Sequence, residues 1–113
     1  MPTLNQVKKR HKLLCSNAYN VIERKGRDYN RKQQKQGDTL FNVAAPKLLG
    51  VTDTKCQAVL VRLSDKFMRL SSLGCDPENG PAVKQEKLRD TVEDMINYLV
   101  YLELFYEEES KKK

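Results

Sequence analysis

Apolar residues recur every three or four positions along most of the chain, and the clearest run is Glu86 to Tyr106, EKLRDTVEDMINYLVYLELFY, which contains neither Pro nor Gly. Leu88, Val92, Met95, Leu99, Leu102 and Tyr106 form a stripe at helical spacing, which predicts one long helix with that stripe against the core. On the opposite side Glu86, Asp90, Glu93, Asp94 and Asn97 fall together, so polar chemistry has a place to sit. From Tyr98 to Tyr106 only Glu103 is charged, and this segment needs cover almost all round. One chain of this size covers about two sides of it. The pattern therefore predicts a homo-oligomer, most simply a two-fold dimer, with Tyr98, Val100, Tyr101, Leu104 and Phe105 in the interface.

Upstream, Leu4, Val7, His11, Leu14, Ala18 and Ile22 keep the 3.6-residue period, with Thr3 placed to cap and Gly26 placed to stop. This predicts a first helix over about residues 3 to 25, followed by a basic loop to residue 37. Leu40, Phe41, Val43 and Ala44 predict a short helix that Pro46 breaks before Lys47 to Gly50. Thr52 or Asp53 is placed to cap a long third helix ending at Gly74, with Cys56, Val59, Leu60, Leu63, Phe67 and Leu70 inward. Residues 75 to 81, CDPENGP, read as a turn, the last helix begins near Ala82, and residues 110 to 113 are expected to fray. No period-two pattern appears. The fold class is all-α, a single domain over residues 1 to 113 built as a bundle of three long helices and one broken short helix.

Length and composition narrow the class. A chain of 113 residues with 39% hydrophobic content can fold on burial alone. No apolar run approaches the roughly 20 residues of a membrane helix, and the first residues lack a signal-peptide core, so a cytoplasmic location without a membrane partner is expected. Cys15, Cys56 and Cys75 lack metal-ligand spacing and read as reduced thiols. His11, the single histidine, falls on the packed side and is given no catalytic part.

The net charge of +6 hides an asymmetry. Residues 1 to 37 hold ten Lys and Arg against Glu23 and Asp28, a net of +8, and the remainder holds eleven against thirteen acids, a net of −2. The first third attracts polyanions or is simply a solvated basic surface. On the third helix Arg62, Lys66 and Arg69 share a face with Asp65. Facing the acidic side of the last helix, they would suit a nucleotide, with Arg and Lys on phosphate oxygens and Glu86, Asp90 and Asp94 as ligands for Mg²⁺, while Asn97 adds a polar contact. Arg27 and Tyr29, in the basic segment, would add a phosphate contact and an aromatic ring. The alternative is that the two ridges only pair with one another. Nucleophilic triads, CxxC, HExxH and glycine-rich phosphate loops do not occur.

Four segments, DYN at 28 to 30, LFNVAAPKLLGVT at 40 to 52, VRLSDKFMRLSSL at 61 to 73 and LRDTVEDMINYLVYL at 88 to 102, give the chain a likeness in order and spacing. Over about residues 20 to 105 it resembles a nucleotide-modification-associated helical domain of bacteriophages and bacteria, related to the all-alpha nucleoside-triphosphate pyrophosphatases of the MazG type. In that pattern Lys66 and Arg69 match a Lys and an Arg one turn apart, and Asp90, Asp94, Asn97 and Tyr98 match Asp-x-x-x-Asp-x-x-Asn-Tyr. The resemblance implies a nucleotide-related role, in a host bacterium if the protein is viral. The pyrophosphatases' Glu-Glu-x-x-Glu motif has no counterpart, and Thr91 stands where their second motif places an acid. Three functions are therefore expected in order: binding of a nucleotide or cyclic nucleotide, Mg²⁺-dependent pyrophosphohydrolysis, and nucleic-acid binding through Lys8 to Lys35 with Tyr29 stacking.

Overall fold

The computed structural model describes residues 1–33, 38–73 and 81–111, with side chains described over 1–24, 43–73 and 85–111. These residues form α1 (Leu4–Gln33), α2 (Asp38–Leu48), α3 (Lys55–Leu73) and α4 (Pro81–Lys111), and no strand occurs among them. The all-helical expectation holds, and the helix boundaries differ in instructive ways.

Thr3 caps α1 as expected, through a reciprocal pair in which Gln6 N–H donates to Thr3 Oγ1 at 3.2 Å and Thr3 N–H donates to Gln6 Oε1 at 2.8 Å. Gly26 does not stop this helix, which continues to Gln33. A glycine inside a helix costs only about 1 kcal/mol, and the Arg, Lys and Gln around it favour the helical state. The expected basic loop is thus helical backbone to residue 33. Residues 34–37 lie outside the described residues, and so does the 75–80 turn.

Pro46 does not divide α2 either, because it sits in the last turn and removes a single ladder bond. Two bonds close the end: Gly50 N–H donates to Lys47 O at 3.0 Å and Val51 N–H donates to Pro46 O at 2.8 Å. This is a Schellman closure, and Gly50 takes the left-handed position it requires at φ 81°.

The cap of α3 is Thr54, one or two residues later than expected, with Gln57 N–H donating to Thr54 Oγ1 at 3.0 Å. The remaining orphan donors of this first turn reach across to α4. Lys55 N–H and Cys56 N–H donate to the two carboxylate oxygens of Glu109, at 2.8 and 3.3 Å. Helix α4 persists to Lys111, where fraying is expected from residue 110, and Lys111 Nζ pairs with Glu107 at 3.0 Å. Residues 112 and 113 lie outside the described residues.

Helix α4 packs against α3 and α1, and α2 bridges those two. The core gathers Val43 and Ala44 of α2, Val59 and Leu63 of α3 and Phe105 of α4, with Cys56, Met95, Tyr98, Tyr101 and Leu102 against them. Each fully buried large side chain of this set contributes about 1.5–3 kcal/mol.

The inward faces are rotated from the expected stripes. On α4, Leu99 and Tyr106 are exposed while Thr91, Glu93 and Asn97 are buried. On α3, Leu60 and Phe67 are exposed and Ala58 is buried. On α1, Ala18 is buried and Leu14 and Ile22 half-buried, whereas Leu4, Val7 and His11 are exposed. Polar residues can occupy an inward face when a partner satisfies them, and both Glu93 and Asn97 have one on α1.

Candidate functional site

The expected acidic ridge of α4 is divided among three surroundings. Glu93 is 7% exposed and accepts from Asn17 Nδ2 at 2.9 Å. Asn97 is 8% exposed and donates to the Ala18 carbonyl at 3.1 Å, an approach that the small Ala18 side chain permits. These two residues fasten α1 to α4. Asp94 turns the other way, toward α3, where Lys66 Nζ lies 3.3 Å from its Oδ2. Glu86 and Asp90 are exposed.

Lys66 therefore crosses the α3–α4 seam. Its side chain is only 18% exposed, and its ammonium also lies 5.8 Å from the centroid of Tyr98. Tyr101 stands at an angle of 77° to Tyr98, with centroids 6.1 Å apart. Burial first, then the neighbouring Tyr98 and Asp94, raises the Tyr101 hydroxyl above its ordinary pKa. Arg62, one turn before Lys66, is half-buried and engaged within the fold.

One turn beyond Lys66 the seam opens into a cavity of about 460 Å³ lined by Arg69, Ser72 and Leu73 of α3 and by Lys87 and Asp90 of α4. The cationic row and part of the acidic row thus meet along one seam, and at Lys66 and Asp94 they pair with one another, as the alternative reading expects. Lys87 was not among the expected residues. Its signal was its position, three residues before Asp90 and so beside it on the helix. Ser72 was missed for the same reason, lying three residues after Arg69.

Around a metal ion the expected set fits poorly. Glu86, Asp90 and Asp94 all come from one helix, Asp94 is held by Lys66, and among the described residues no three His, Cys, Asp or Glu side chains converge. Arg27 and Tyr29 lie outside the described side chains. Of the expected interface, Phe105 belongs to the core of the single chain and Tyr98 and Tyr101 pack on that core, while Val100 and Leu104 are exposed.

A second polar cavity of about 450 Å³ lies between α1 and α4, bounded by Asn17, Asn20, Val21, Glu23, Arg24 and Glu93. None of the described helices is long and apolar enough to cross a membrane. Set against protein-family models, curated proteins and solved structures, the chain matches none.

Proposed function

We propose that the protein is a nucleotide-binding helical module whose phosphate site is the open groove between α3 and α4. The observation that carries this reading is the pair of cations Arg69 and Lys87, contributed by different helices to one cavity that also holds the Ser72 side chain. Arg presents a planar fork to phosphate oxygens, Lys a point charge, and a hydroxyl adds a donor, so the set matches a di- or triphosphate. Lys66, one turn before Arg69, is paired with Asp94 and lies outside the cavity lining. The cavity volume falls in the range of about 300–1,000 Å³ common for small-ligand sites. The resemblance to the MazG-related helical domain points to the same class of ligand. Since the acids of α4 do not converge, the proposal stops at binding.

Isothermal calorimetry with NTPs, dNTPs and cyclic dinucleotides tests it directly. Binding by at least one class is expected, weakened tenfold or more by Arg69→Ala and by Lys87→Ala. A protein that binds none of the panel, or binds equally well without both cations, has another function. Pyrophosphate release with Mg²⁺ or Mn²⁺ would replace the binding reading with the hydrolytic one.

A further inference from the structure

The first two turns of α1 are apolar on a side that none of the described residues covers. Leu4 is 72% and Val7 54% exposed, in a helix whose middle is buried at Ala18. Helices of 30 and 31 residues extend beyond a core that α2, at 11 residues, cannot lengthen, and the molecule measures 45 Å along its longest axis. Beside this arm, α1 and the second half of α4 leave an open, mostly apolar groove of about 430 Å³ lined by His11, Leu14 and Cys15 of α1 and by Ile96, Leu99, Val100 and Glu103 of α4.

We propose that this groove receives the α1 arm of a second copy, so that two chains exchange arms across a two-fold axis. The match is both apolar and electrostatic. Leu4 and Val7 supply apolar anchors one turn apart, while Lys8, Lys9, Arg10 and Lys12 give the arm a purely positive charge. None of these four makes an ion pair among the described residues. At the receiving end of α4, Glu103 lines the groove and has no ion-pair partner among the described residues, Glu107 follows one turn on and pairs with Lys111 of its own helix, and Glu108 is turned to Lys55 of α3. An amphipathic basic helix is the occupant that such a groove selects, and the chain carries one next to it. In a two-fold arrangement each arm fills the other's groove, so both exposed apolar surfaces are covered by one contact. The proposal does not depend on the nucleotide reading.

Light scattering of the full chain at micromolar concentration should give twice the monomer mass. Val7→Glu and Val100→Glu, at half-exposed positions, should each return the monomer with unchanged helical circular dichroism. Phe67→Glu, on the other exposed apolar face, should leave the dimer intact. Under mild oxidation Val7→Cys should cross-link two chains through Cys15, and adding Cys15→Ser should remove that product. A monomeric wild type, a dimer that survives Val7→Glu, a dimer that dissociates on Phe67→Glu instead, or a Val7→Cys protein without the Cys15 cross-link would overturn the proposal.

Discussion

The two ends of the α3–α4 pair are built from different materials. Toward the start of α3 and the end of α4, Val59, Leu63 and Phe105 pack with Val43 and Ala44, and the helix terminus is sealed by Glu109. Toward the end of α3 and the start of α4, the same two helices meet through Lys66 and Asp94 and then part around Arg69, Lys87 and Asp90. The first end has every reason to stay closed, because opening it would return apolar surface to water. The second has little to lose, since a partly exposed ion pair is worth about 0–1 kcal/mol. One end holds the fold, and the other parts into an open groove.

The packed end should not tolerate truncation. Phe105→Ala should cost about 3–5 kcal/mol in denaturant unfolding, from lost burial and the cavity left behind. At the junction with α1, Asn97→Ala should cost about 1 kcal/mol, because a buried bond between the helices is lost while the Ala18 carbonyl keeps its acceptor role within α1. A change at Asn97 as small as a surface substitution would mean that α1 is only loosely fastened to α4.

Glu109 makes the packed end sensitive to pH. Burial pushes its carboxyl up, but the hydrogen bonds from Lys55 and Cys56 outweigh burial and hold it below the ordinary carboxylate range. Its contribution is therefore complete above the pKa of an unfolded glutamate and is lost as pH falls through the depressed folded value. Glu109→Gln should lower stability by about 1 kcal/mol at neutral pH and reduce the acid dependence of the unfolding midpoint. The neighbouring Cys56 thiol is pushed up to about 11 by burial, then by its hydrogen bond to Glu109 and that residue's charge. Native Cys56 should consequently alkylate about 100-fold more slowly than the same cysteine in denaturant below pH 9, since the thiolate is the reactive form. Equal rates would show that this end opens freely.

The most local effect is expected at Gly50. A side chain there meets open space, so Gly50→Ala should cost only the left-handed backbone penalty of about 1–2 kcal/mol in the closure of α2, diluted if the turn can rearrange. A neutral result would place the α2 end outside the cooperative unit.

The sequence made the helices legible because period and caps are local: Thr3, the apolar runs of α3 and α4 and the beginning of α4 all lie close to where periodicity puts them. It did not reveal which side of each helix faces inward. Hydropathy ranks Leu99 and Phe67 above Asn97 and Glu93, yet Asn97 and Glu93 are buried because Ala18 and Asn17 complete their hydrogen bonds. That partnership spans more than seventy residues of sequence and leaves no local trace. Glu109 was equally hidden, being one glutamate in a charged tail until its position across from Lys55 is known. At the candidate site the pairing of a cationic row with an acidic row was legible, whereas the contribution of Lys87 required the two helices to be set side by side.

The most direct test of the division between the two ends is a backbone-amide NMR titration with a nucleoside triphosphate. The account predicts chemical-shift changes concentrated at Lys66, Arg69, Ser72, Lys87, Asp90 and Asp94, saturating together, with Val59, Leu63, Phe105 and Glu109 unmoved. Shifts confined to Lys8–Lys12, shifts centred on the packed end, or a spectrum unchanged by every nucleotide would contradict it.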